Sequence, residues 1–437
     1  MQHQMKSSFL YPVFRTFYTV LMTFAIPFFF LRLWWRGRKN TAYRQRWLER
    51  LGIFGHNPPP GGLWLHAVSV GESVAAVPFV RAFQKRYPAL PIIFTTSTVT
   101  GSDRVRSIFG DSVFHVYFPY DHVWCFQKFI RSIRPKVLVL TETEIWPNCL
   151  HICREHEIPV MMMNARLSPR SAKGYGRFGF LMRELLKEIR LVAAQSELDG
   201  ARFLALGLEP NRLQVAGNIK FDVCLKPETA SASKQLREAL GDRPIFIAAS
   251  THQDEENQVL KAFSLILKQF KDVLLILVPR HPARFEAVAD LIQEQGFRFV
   301  KRSSKANVTP ETQVFLGDTM GELELFYGIS DIAFVGGSLV PIGGHNTLEP
   351  AVQGVPSIVG PQVHNFLDIT KLLVDAGGLV QISDSTTLAD AVIHWLSHSD
   401  ERKSAGQKAK TVVEKNRGAV DRILECLRPF VESVKYP

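Results

Sequence analysis

The chain has 437 residues, which is more than one ordinary domain needs and enough for two domains and an anchor. Hydrophobic residues make up 46% of it and charged residues 21%, which excludes an intrinsically disordered protein. The five cysteines are scattered and odd in number, which argues against a disulfide framework and suits a reducing compartment.

The net charge of +11 indicates an anionic partner. Phospholipid, a lipid phosphate and a sugar nucleotide all fit, whereas nucleic acid is disfavoured because the sequence has neither zinc-finger spacing nor an RNA-binding signature. Cys149, His151, Cys153 and His156 lie close enough in sequence to suggest a metal site. No second ligand pair follows at zinc spacing, so we interpret them as part of a packed helix and predict no metal.

The N-terminal segment, residues 1–36, is predicted to be a membrane anchor. Its run from Thr16 to Leu31 carries no charge but is short for a bilayer span, which takes about 20 apolar residues. Basic residues are concentrated after this run, and the asymmetry predicts that the remaining chain lies in the cytoplasm. Because Pro27 interrupts the run, both a spanning anchor and one that lies in a single leaflet stay open.

From about residue 63 the sequence alternates short apolar strands with helical stretches, a pattern typical of parallel α/β sheets. The predicted strands are 63–69, 91–98, 113–119, 137–144, 159–167 and 191–196 in the first half, and 243–250, 273–280, 297–303, 313–319, 332–338, 355–361 and 378–383 in the second. The stretch 223–242, with Pro, Ser and mixed charge, is interpreted as a linker. We therefore predict two Rossmann-like domains, 37–222 and 243–403, that face a cleft, with ligands at the carboxyl ends of the strands.

Two motifs of the first half bring carboxylates to strand ends. HAVSVGES (66–73) leads from a strand into a helix, and Glu72 near the start of that helix could act as a general base. Ser69 and Glu72 also have the spacing of a capping box, so a structural role for Glu72 stays open. In TETEIWPN (141–148), Glu142 and Glu144 at alternate positions are predicted to share one strand face, although they could instead cap the following helix.

Basic residues follow in the same half. GNIKFD (217–222) places Lys220 at a strand end, where its ammonium could reach a phosphate or a carboxylate. The stretch NARLSPRSAKGYGRFGFLMRELLKEIR (164–190) interleaves basic residues with aromatic residues and leucines. Such a stretch can lie against anionic lipid, or it can form the solvated face of a helix.

Three polar motifs of the second half fall at strand-to-helix junctions: ASTHQDEE (249–256), VPRHPARF (278–285) and GDTMGELE (317–324). Backbone N–H groups at helix starts, with Arg280 and His281 nearby, would make an anion site there. The glycines of FVGGSLVPIGGHNTLEPAVQGVPSIVGP (334–361) would let the backbone approach a phosphate, and Glu349 could accept two ribose hydroxyls. This loop is neither a Walker loop nor a dinucleotide fingerprint, and glycine-rich structural turns remain an alternative.

Taken in order, nine motifs closely resemble those of one known family: HAVSVGE, TTSTVTG, TETEIWPN, NARLSPRS, GNIKFD, ASTHQDEE, VPRHPAR, GDTMGEL and GGSLVPIGGHNTLEPA. They are similar to the motifs of the Kdo transferases of lipopolysaccharide synthesis, which attach 3-deoxy-D-manno-octulosonic acid (Kdo) to lipid A precursors. The resemblance covers nearly the whole chain, and an ordered set of this kind is highly specific.

The resemblance implies an inverting, metal-independent GT-B glycosyltransferase that needs no cofactor and transfers Kdo from CMP-Kdo to the lipid A precursor lipid IVA. It places the acceptor in the N-terminal domain and the donor in the C-terminal domain, at the cytoplasmic face of a Gram-negative inner membrane, with phospholipid as a further partner. By analogy, residues 404–437 would be helical and return to the first domain. A GT-B enzyme that uses a UDP-sugar, such as a lipid-linked glycosyltransferase or a 2-epimerase, and a non-catalytic membrane-bound nucleotide-binding module remain alternatives.

The resemblance also implies roles for individual residues. Glu72 matches the general base that takes the proton from the acceptor hydroxyl, and Glu142 and Lys220 match positions that support the transition state. The CMP-binding segments correspond to Arg280 and His281, to Met320, Gly321 and Glu322, and to Asn346, Thr347, Leu348 and Glu349. Cationic groups aimed at the leaving phosphate would stabilise the charge that develops there without a metal.

Overall fold

The fold is taken from a computed structural model that describes residues 2–55, 58–223, 225 and 227–432, with side chains from Leu10 onward except that of Pro227. Cys224 and the last five residues of the segment 404–437 lie outside the described residues. The chain divides into two compact units, one comprising Met1–Asp222 with Arg417–Pro437 and the other Val223–Asn416.

The first unit is built on a seven-stranded parallel sheet in the order β3-β2-β1-β4-β5-β6-β7. Its strands are β1 Leu63–Ala67, β2 Ile92–Thr96, β3 Phe114–Tyr117, β4 Val137–Thr141, β5 Val160–Ala165, β6 Leu191–Ala194 and β7 Leu213–Val215. In register, Leu63 pairs with Val137 on one side and with Ile92 on the other. The six strands predicted for this half are confirmed, and β7 is added to them.

Helices cover both faces of this sheet, which is why its strands are nearly continuous apolar runs. They are α1 Gln2–Arg36, α2 Val70–Ala75, α3 Val77–Arg86, α4 Val99–Phe109, α5 Val123–Ile133, α6 Pro147–Glu155, α7 Pro169–Gly176, α8 Gly179–Lys187 and α9 Glu197–Ala205. Successive residues of β1 belong to different cores, since Trp64 packs with Phe126 and Phe129 while Leu65 packs with Phe79. This alternation follows from the twofold repeat of a strand.

Helix α1 continues without a break through Pro27, so the proline does not interrupt it. Within the part of the chain that the structure describes, Leu10–Arg36 is the one segment that is long and apolar enough to cross a membrane. One face of α1 lies against its own unit: Tyr11 is buried in the core, and the Thr19 hydroxyl is 2.9 Å from Oδ1 of Asn148. The opposite face is exposed and apolar, with Val13, Phe17, Leu21, Phe24, Phe28, Leu31 and Trp35.

The second unit repeats the plan with a parallel sheet in the order β10-β11-β9-β8-β12-β13-β14. Its strands are β8 Ile245–Thr251, β9 Leu274–Pro279, β10 Phe299–Lys301, β11 Val314–Leu316, β12 Ile332–Val335, β13 Ser357–Val359 and β14 Leu379–Gln381. Its helices are α10 Pro227–Leu240, α11 Glu255–Ile266, α12 Phe285–Glu294, α13 Leu323–Ile329, α14 Leu348–Val352, α15 Leu367–Asp375, α16 Ser385–Ser397 and α17 Ser399–Asn416. All seven predicted strands of this half are present.

The boundaries between the units differ from the predicted ones. The predicted linker 223–242 contains α10, which packs on α13 of the second unit; there the Ser233 hydroxyl donates to the carbonyl of Leu325. Helix α17 belongs to the second unit throughout, so the segment that lies in the first unit begins at Arg417 and not at residue 404. That segment forms α18 (Ala419–Glu432), whose apolar face joins the core of the first unit through Ile423 and Leu427.

Candidate functional site

Glu72 is fixed at the carboxyl end of β1. Ser69 is the N-cap of α2, and its hydroxyl accepts a hydrogen bond from the N–H of Glu72 at 3.3 Å. The Glu72 carboxylate accepts from the N–H of Val68 at 2.8 Å and from the Ser69 hydroxyl at 2.8 Å. The Thr141 hydroxyl lies 2.9 Å from the same carboxylate. Ser69 therefore caps α2, whereas the Glu72 carboxylate bonds Val68 and not the backbone N–H of Ser69 that a capping box would use. Three donors from two neighbouring strand ends hold that carboxylate in one position.

Glu142 and Glu144 reach this position by a turn and not on a strand. Strand β4 ends at Thr141, and Glu142 has a left-handed φ of 56° while its N–H donates to the carbonyl of Met163 at 2.9 Å. The prediction that the two carboxylates share one strand face is wrong, because the left-handed backbone of Glu142 itself ends the extended conformation before Glu144.

The three carboxylates interact electrostatically. Burial, and next the negative charge of Glu72, raise the pKa of Glu142 and bring the pKa of Glu144 to about 7. The positive charges of Lys220 and Arg166 oppose the shift at Glu142. A carboxyl that is close to half-protonated near neutral pH therefore lies beside the rigidly held Glu72, an arrangement suited to accepting and passing a proton.

Lys220 is brought to this cluster by a network of side-chain amides. Asn218 caps the short 3-10 turn Ile219–Phe221 by accepting from the N–H of Lys220 at 3.0 Å. The N–H of Ile219 donates to Oδ1 of Asn164 at the end of β5, and Asn218 donates to Gln195 just after β6. The turn after β7 is thus tied to the two strands that separate it from β4.

In the second unit the predicted segments follow neighbouring strands. Arg280 and His281 come directly after β9, and both side chains are exposed. The N–H of Arg280 donates to the carbonyl of Thr251 at the end of β8, at 2.9 Å. The exposed guanidinium of Arg280, with the imidazole of His281 beside it at the end of β9, is suited to binding an anion.

The glycine-rich loop after β12 is filled by a carboxylate of the protein itself. Glu255, buried at the start of α11, accepts hydrogen bonds from the N–H groups of Gly337, Ser338 and Leu339 at 2.7–3.1 Å. A Cβ at position 336 would lie 2.8 Å from the Glu255 carboxylate, so the glycine there is required for this approach. The expectation that this backbone receives a phosphate is therefore wrong for residues 337–339, whose N–H groups are already bonded.

Met320, Gly321 and Glu322 form an exposed turn after β11. The Met320 side chain is 63% exposed, and Gly321 has φ +85°, a conformation that favours glycine. Arg302 donates two hydrogen bonds to the Glu322 carboxylate, at 2.8 and 3.1 Å, and lowers its pKa. Glu322 is thus already paired, whereas Met320 offers a free apolar surface.

The segment from Asn346 to Glu349 forms the start of α14. Asn346 accepts from the N–H of Leu348 and donates to the Glu349 carboxylate, both at 3.1 Å. The side chains of Thr347 and Leu348 are buried, so the polar groups that this segment can offer to a ligand belong to Asn346 and Glu349. Burial raises the pKa of Glu349, and the charge of Arg280 opposes this shift.

Some functional candidates were missed from sequence. Glu144 was named from sequence as a carboxylate on one strand face with Glu142 but was given no catalytic role, and its interaction with Glu72 follows from the fold. His252 and His345, which lie inside two of the quoted motifs, make a direct contact that no sequence spacing could reveal. Cys149 and Cys153 are buried on α6, as the helical interpretation requires.

Comparison with known proteins gives a consistent result. Residues 45–223 match the family described as 3-deoxy-D-manno-octulosonic-acid transferase (kdotransferase), and residues 234–412 match glycosyl transferases group 1. A 3-deoxy-D-manno-octulosonic acid transferase of Haemophilus influenzae is 43% identical over 422 residues, which cover 96% of this chain and 99% of that protein. The enzyme of the same name from Bordetella pertussis is 31% identical, with 95% of this chain and 99% of that protein covered.

Solved structures agree on the fold. A glycosyltransferase of Rickettsia africae matches with a TM-score of 0.54 at 14% identity, covering 86% of this chain and all of that chain. A UDP-GlcNAc 2-epimerase of Neisseria meningitidis matches as well, with a TM-score of 0.55 at 14% identity and 84% and 99% of the two chains covered. These likenesses show the GT-B fold, and the sequence relatives decide between the activities that share it. The protein is a glycosyltransferase, and it belongs to the 3-deoxy-D-manno-octulosonic acid transferase family.

Proposed function

We propose that this protein transfers Kdo from CMP-Kdo to the lipid A precursor lipid IVA, with inversion and without a divalent metal, at the cytoplasmic face of the inner membrane. The observation that carries the proposal is the carboxylate cluster of the first unit. In it, Glu72 is held by three donors and interacts with Glu142 and Glu144.

The acceptor reaction needs one proton to be removed. Glu72 takes the proton from the acceptor hydroxyl as that oxygen forms a bond to the anomeric carbon of Kdo. The bond from this carbon to the phosphate oxygen of CMP breaks, and CMP leaves with the electron pair. A base fixed by three hydrogen bonds does not need to be ordered during this step, which favours catalysis by positioning.

The donor reaction needs charge stabilisation at the departing phosphate. The exposed side chains of Arg280 and His281 at the end of β9 supply donors and positive charge in the second unit. Fixed cationic groups of this kind can take the place that a metal ion holds in other transferases. Asn346 and Glu349 offer polar atoms for the nucleoside.

The acceptor is a lipid, and α1 suits a lipid surface. Its exposed apolar face is followed by basic residues that stack on aromatic rings: Arg38 and Arg44 lie 4.7 and 5.4 Å from the ring centre of Trp34. Since the opposite face is occupied by the contacts of Tyr11 and Thr19 with the first unit, we propose that α1 lies in one leaflet and does not span the bilayer.

The test is incubation of the purified protein with CMP-Kdo and a tetraacylated lipid A precursor in the presence of a chelator, followed by mass spectrometry. A mass gain of one or more Kdo units is the expected result. Parallel reactions with UDP-sugars serve as the control, and transfer from a UDP-sugar alone would overturn the proposed donor. Transfer that needs an added divalent metal would overturn the metal-independent mechanism.

A further inference from the structure

Two histidines of the second unit are in direct contact. His252 follows β8 and His345 follows the glycine-rich loop after β12, and their Nε2 atoms are 2.7 Å apart. The rings are parallel within 6°, with centroids 5.0 Å apart. His281 stands edge-on to His252 at 5.3 Å. Neither His252 nor His345 matches a position to which the family resemblance gives a role.

A contact between two Nε2 atoms fixes the protons of the pair. One nitrogen must donate and the other must accept, so one proton lies between the rings. The neutral pair holds a second proton on the Nδ1 of the accepting ring. A third proton would occupy the remaining Nδ1, and the pair would then carry one positive charge and two Nδ1–H donors. Within the described residues, neither Nδ1 atom has a protein hydrogen-bond partner.

Other charged groups decide when the third proton is bound. Burial, and next the positive charges nearby, lower the pKa of both histidines, that of His345 to about 4. The positive neighbours are Arg280 and His281 after β9 and Arg284 before α12, of which Arg284 is paired with Glu256. The carboxylate of Glu255 on α11 accepts hydrogen bonds from the N–H groups of His252 and Gly337. The pair is therefore neutral while no anion is bound.

We infer that the His252–His345 pair belongs to the anion site for the donor phosphate and takes up a proton from solvent when a phosphate monoester binds there. The inference rests on the proposed CMP-Kdo donor. An anion beside Arg280 and His281 offsets the positive charges that, after burial, lower the pKa of the pair, and it attracts the charge of the protonated pair directly, so protonation becomes favoured. The N–H groups of residues 337–339 do not contribute to this site, because Glu255 already occupies them.

The consequence is a linkage between protons and CMP, whose phosphate is a monoester once the donor has lost Kdo. The free pair lacks the third proton at neutral pH and the occupied pair holds it, so CMP binding must weaken as pH rises, by up to about tenfold per pH unit. Cytidine lacks the phosphate and should bind without this dependence.

The experiment is calorimetric titration of the full chain with CMP at pH 7, in buffers of different ionisation enthalpy, so that the protons taken up are counted. Wild-type protein should take up a larger fraction of a proton on binding CMP than on binding cytidine. In His252→Asn and in His345→Asn, the part of this excess uptake that is due to the histidine pair should be lost. His394→Asn is the matched control, because His394 and His398 also stack, at 4.5 Å, but on the exposed surface of α16.

Proton uptake that is the same in wild type and both variants would overturn the inference, since the proton would then belong to CMP itself. Thermal unfolding of each variant shows whether it is folded, and His345→Gln is the second choice at that position. A wild-type protein that does not bind CMP would overturn the proposed donor instead. In that case inorganic phosphate, titrated in parallel, tests the proton uptake by itself. If phosphate binds and the number of protons taken up is the same in wild type and in His345→Asn, the inference is overturned.

Discussion

Glu72 combines two roles at one position. Its N–H is capped by Ser69 at the start of α2, and its carboxylate is held by Val68, Ser69 and Thr141 in a position to act as a base. For Glu72→Gln we expect kcat to fall by about 10²–10⁴-fold, the usual range for general-base assistance, with CMP affinity unchanged. The measurement is turnover with saturating CMP-Kdo and lipid acceptor, alongside CMP binding.

Ser69→Ala separates the two roles. It removes the hydroxyl that caps the N–H of Glu72 and that donates to its carboxylate, but it leaves the carboxylate itself with its donors from Val68 and Thr141. Loss of such a cap costs about 0.5–2 kcal/mol of stability, so the melting temperature should fall while activity falls far less than in Glu72→Gln. If Ser69→Ala and Glu72→Gln lose turnover equally, Glu72 acts through structure and not as the base.

Glu144 gives stability a pH dependence of definite sign. Its pKa in the folded protein is about 7, above the unfolded value, so the folded state holds the proton more tightly. The contribution of Glu144 to the free energy of unfolding is fully present at pH values below its pKa in the unfolded chain. This contribution is lost as the pH rises through 7. Glu144→Gln cannot titrate, so it should stabilise the protein more at pH 8 than at pH 5, as measured by thermal unfolding.

The control for that prediction is Glu209→Gln, which changes an exposed carboxylate ion-paired with Arg212 on the surface of the same unit. A difference in melting temperature between wild type and Glu144→Gln that stays constant from pH 5 to pH 8 would contradict the raised pKa.

For single residues, the sequence predicted a contact where both partners lie in the same motif. Ser69 and Glu72 are three residues apart, so their capping contact could be read directly. The left-handed turn at Glu142 could not be predicted, because nothing in TETEIWPN distinguishes such a turn from the end of a strand. The contact of Glu255 with residue 337 joins positions 82 residues apart, and only the fold brings them together.

The glycine-rich loop is an element whose shape depends on one buried carboxylate. Glu255 accepts three N–H groups of the loop and the N–H of His252, so its loss leaves several buried donors without a partner. An unsatisfied buried donor costs about 1–3 kcal/mol. We expect Glu255→Ala to lower the melting temperature and to weaken CMP binding, because His345 follows directly from this loop.

Glu286→Gln is the control for the loop, since Glu286 is exposed on α12 and its ion pair with Lys301 lies at the surface. Exposed pairs contribute little to stability, so this variant should unfold and bind CMP as wild type does. Unchanged CMP affinity in a folded Glu255→Ala protein would show that the loop can hold its shape without the carboxylate.

The strands and helices that are most buried were the ones that could be predicted from the sequence. The long apolar strands stand out in the sequence because helices cover both sheet faces, whereas β7 has three residues and none of them is fully buried. Helix α10 was mistaken for a linker because PETASASKQLREAL is rich in small and charged residues. Its packing surface is narrow: Ser233 is buried against α13, and Leu236 and Leu240 are its contribution to the core that contains Phe326.

At the scale of the whole molecule, the chain passes between the units twice, after Asp222 and before Arg417. The Asp222 carboxylate accepts the N–H groups of Gly418 and Val420, both at 2.6 Å, so it caps the start of α18. The two crossing points are therefore held together within the first unit. The analogy with other GT-B folds predicted a returning C-terminal segment, but the crossing residue is set by this cap.

The exposed apolar face of α1 is the surface that we propose binds lipid. Phe24 and Phe28 lie on the exposed face of α1, 77% and 65% exposed. Burying one such side chain in lipid is worth about 1.5–3 kcal/mol, so replacing both with Glu should lower binding to anionic vesicles by at least about a hundredfold in a sedimentation assay. Leu372→Glu, which changes an exposed apolar residue of α15 in the second unit, should leave binding unchanged.

Protease protection on vesicles separates an anchor in one leaflet from a span. If α1 lies in the leaflet that faces the catalytic units, an epitope at the N-terminus is cleaved by protease added on the side of those units. It should also remain cleavable when the vesicles are intact, because no part of α1 crosses the bilayer. An epitope protected until detergent is added would mean that α1 crosses, and that Tyr11 and Thr19 leave their contacts with the first unit when it does.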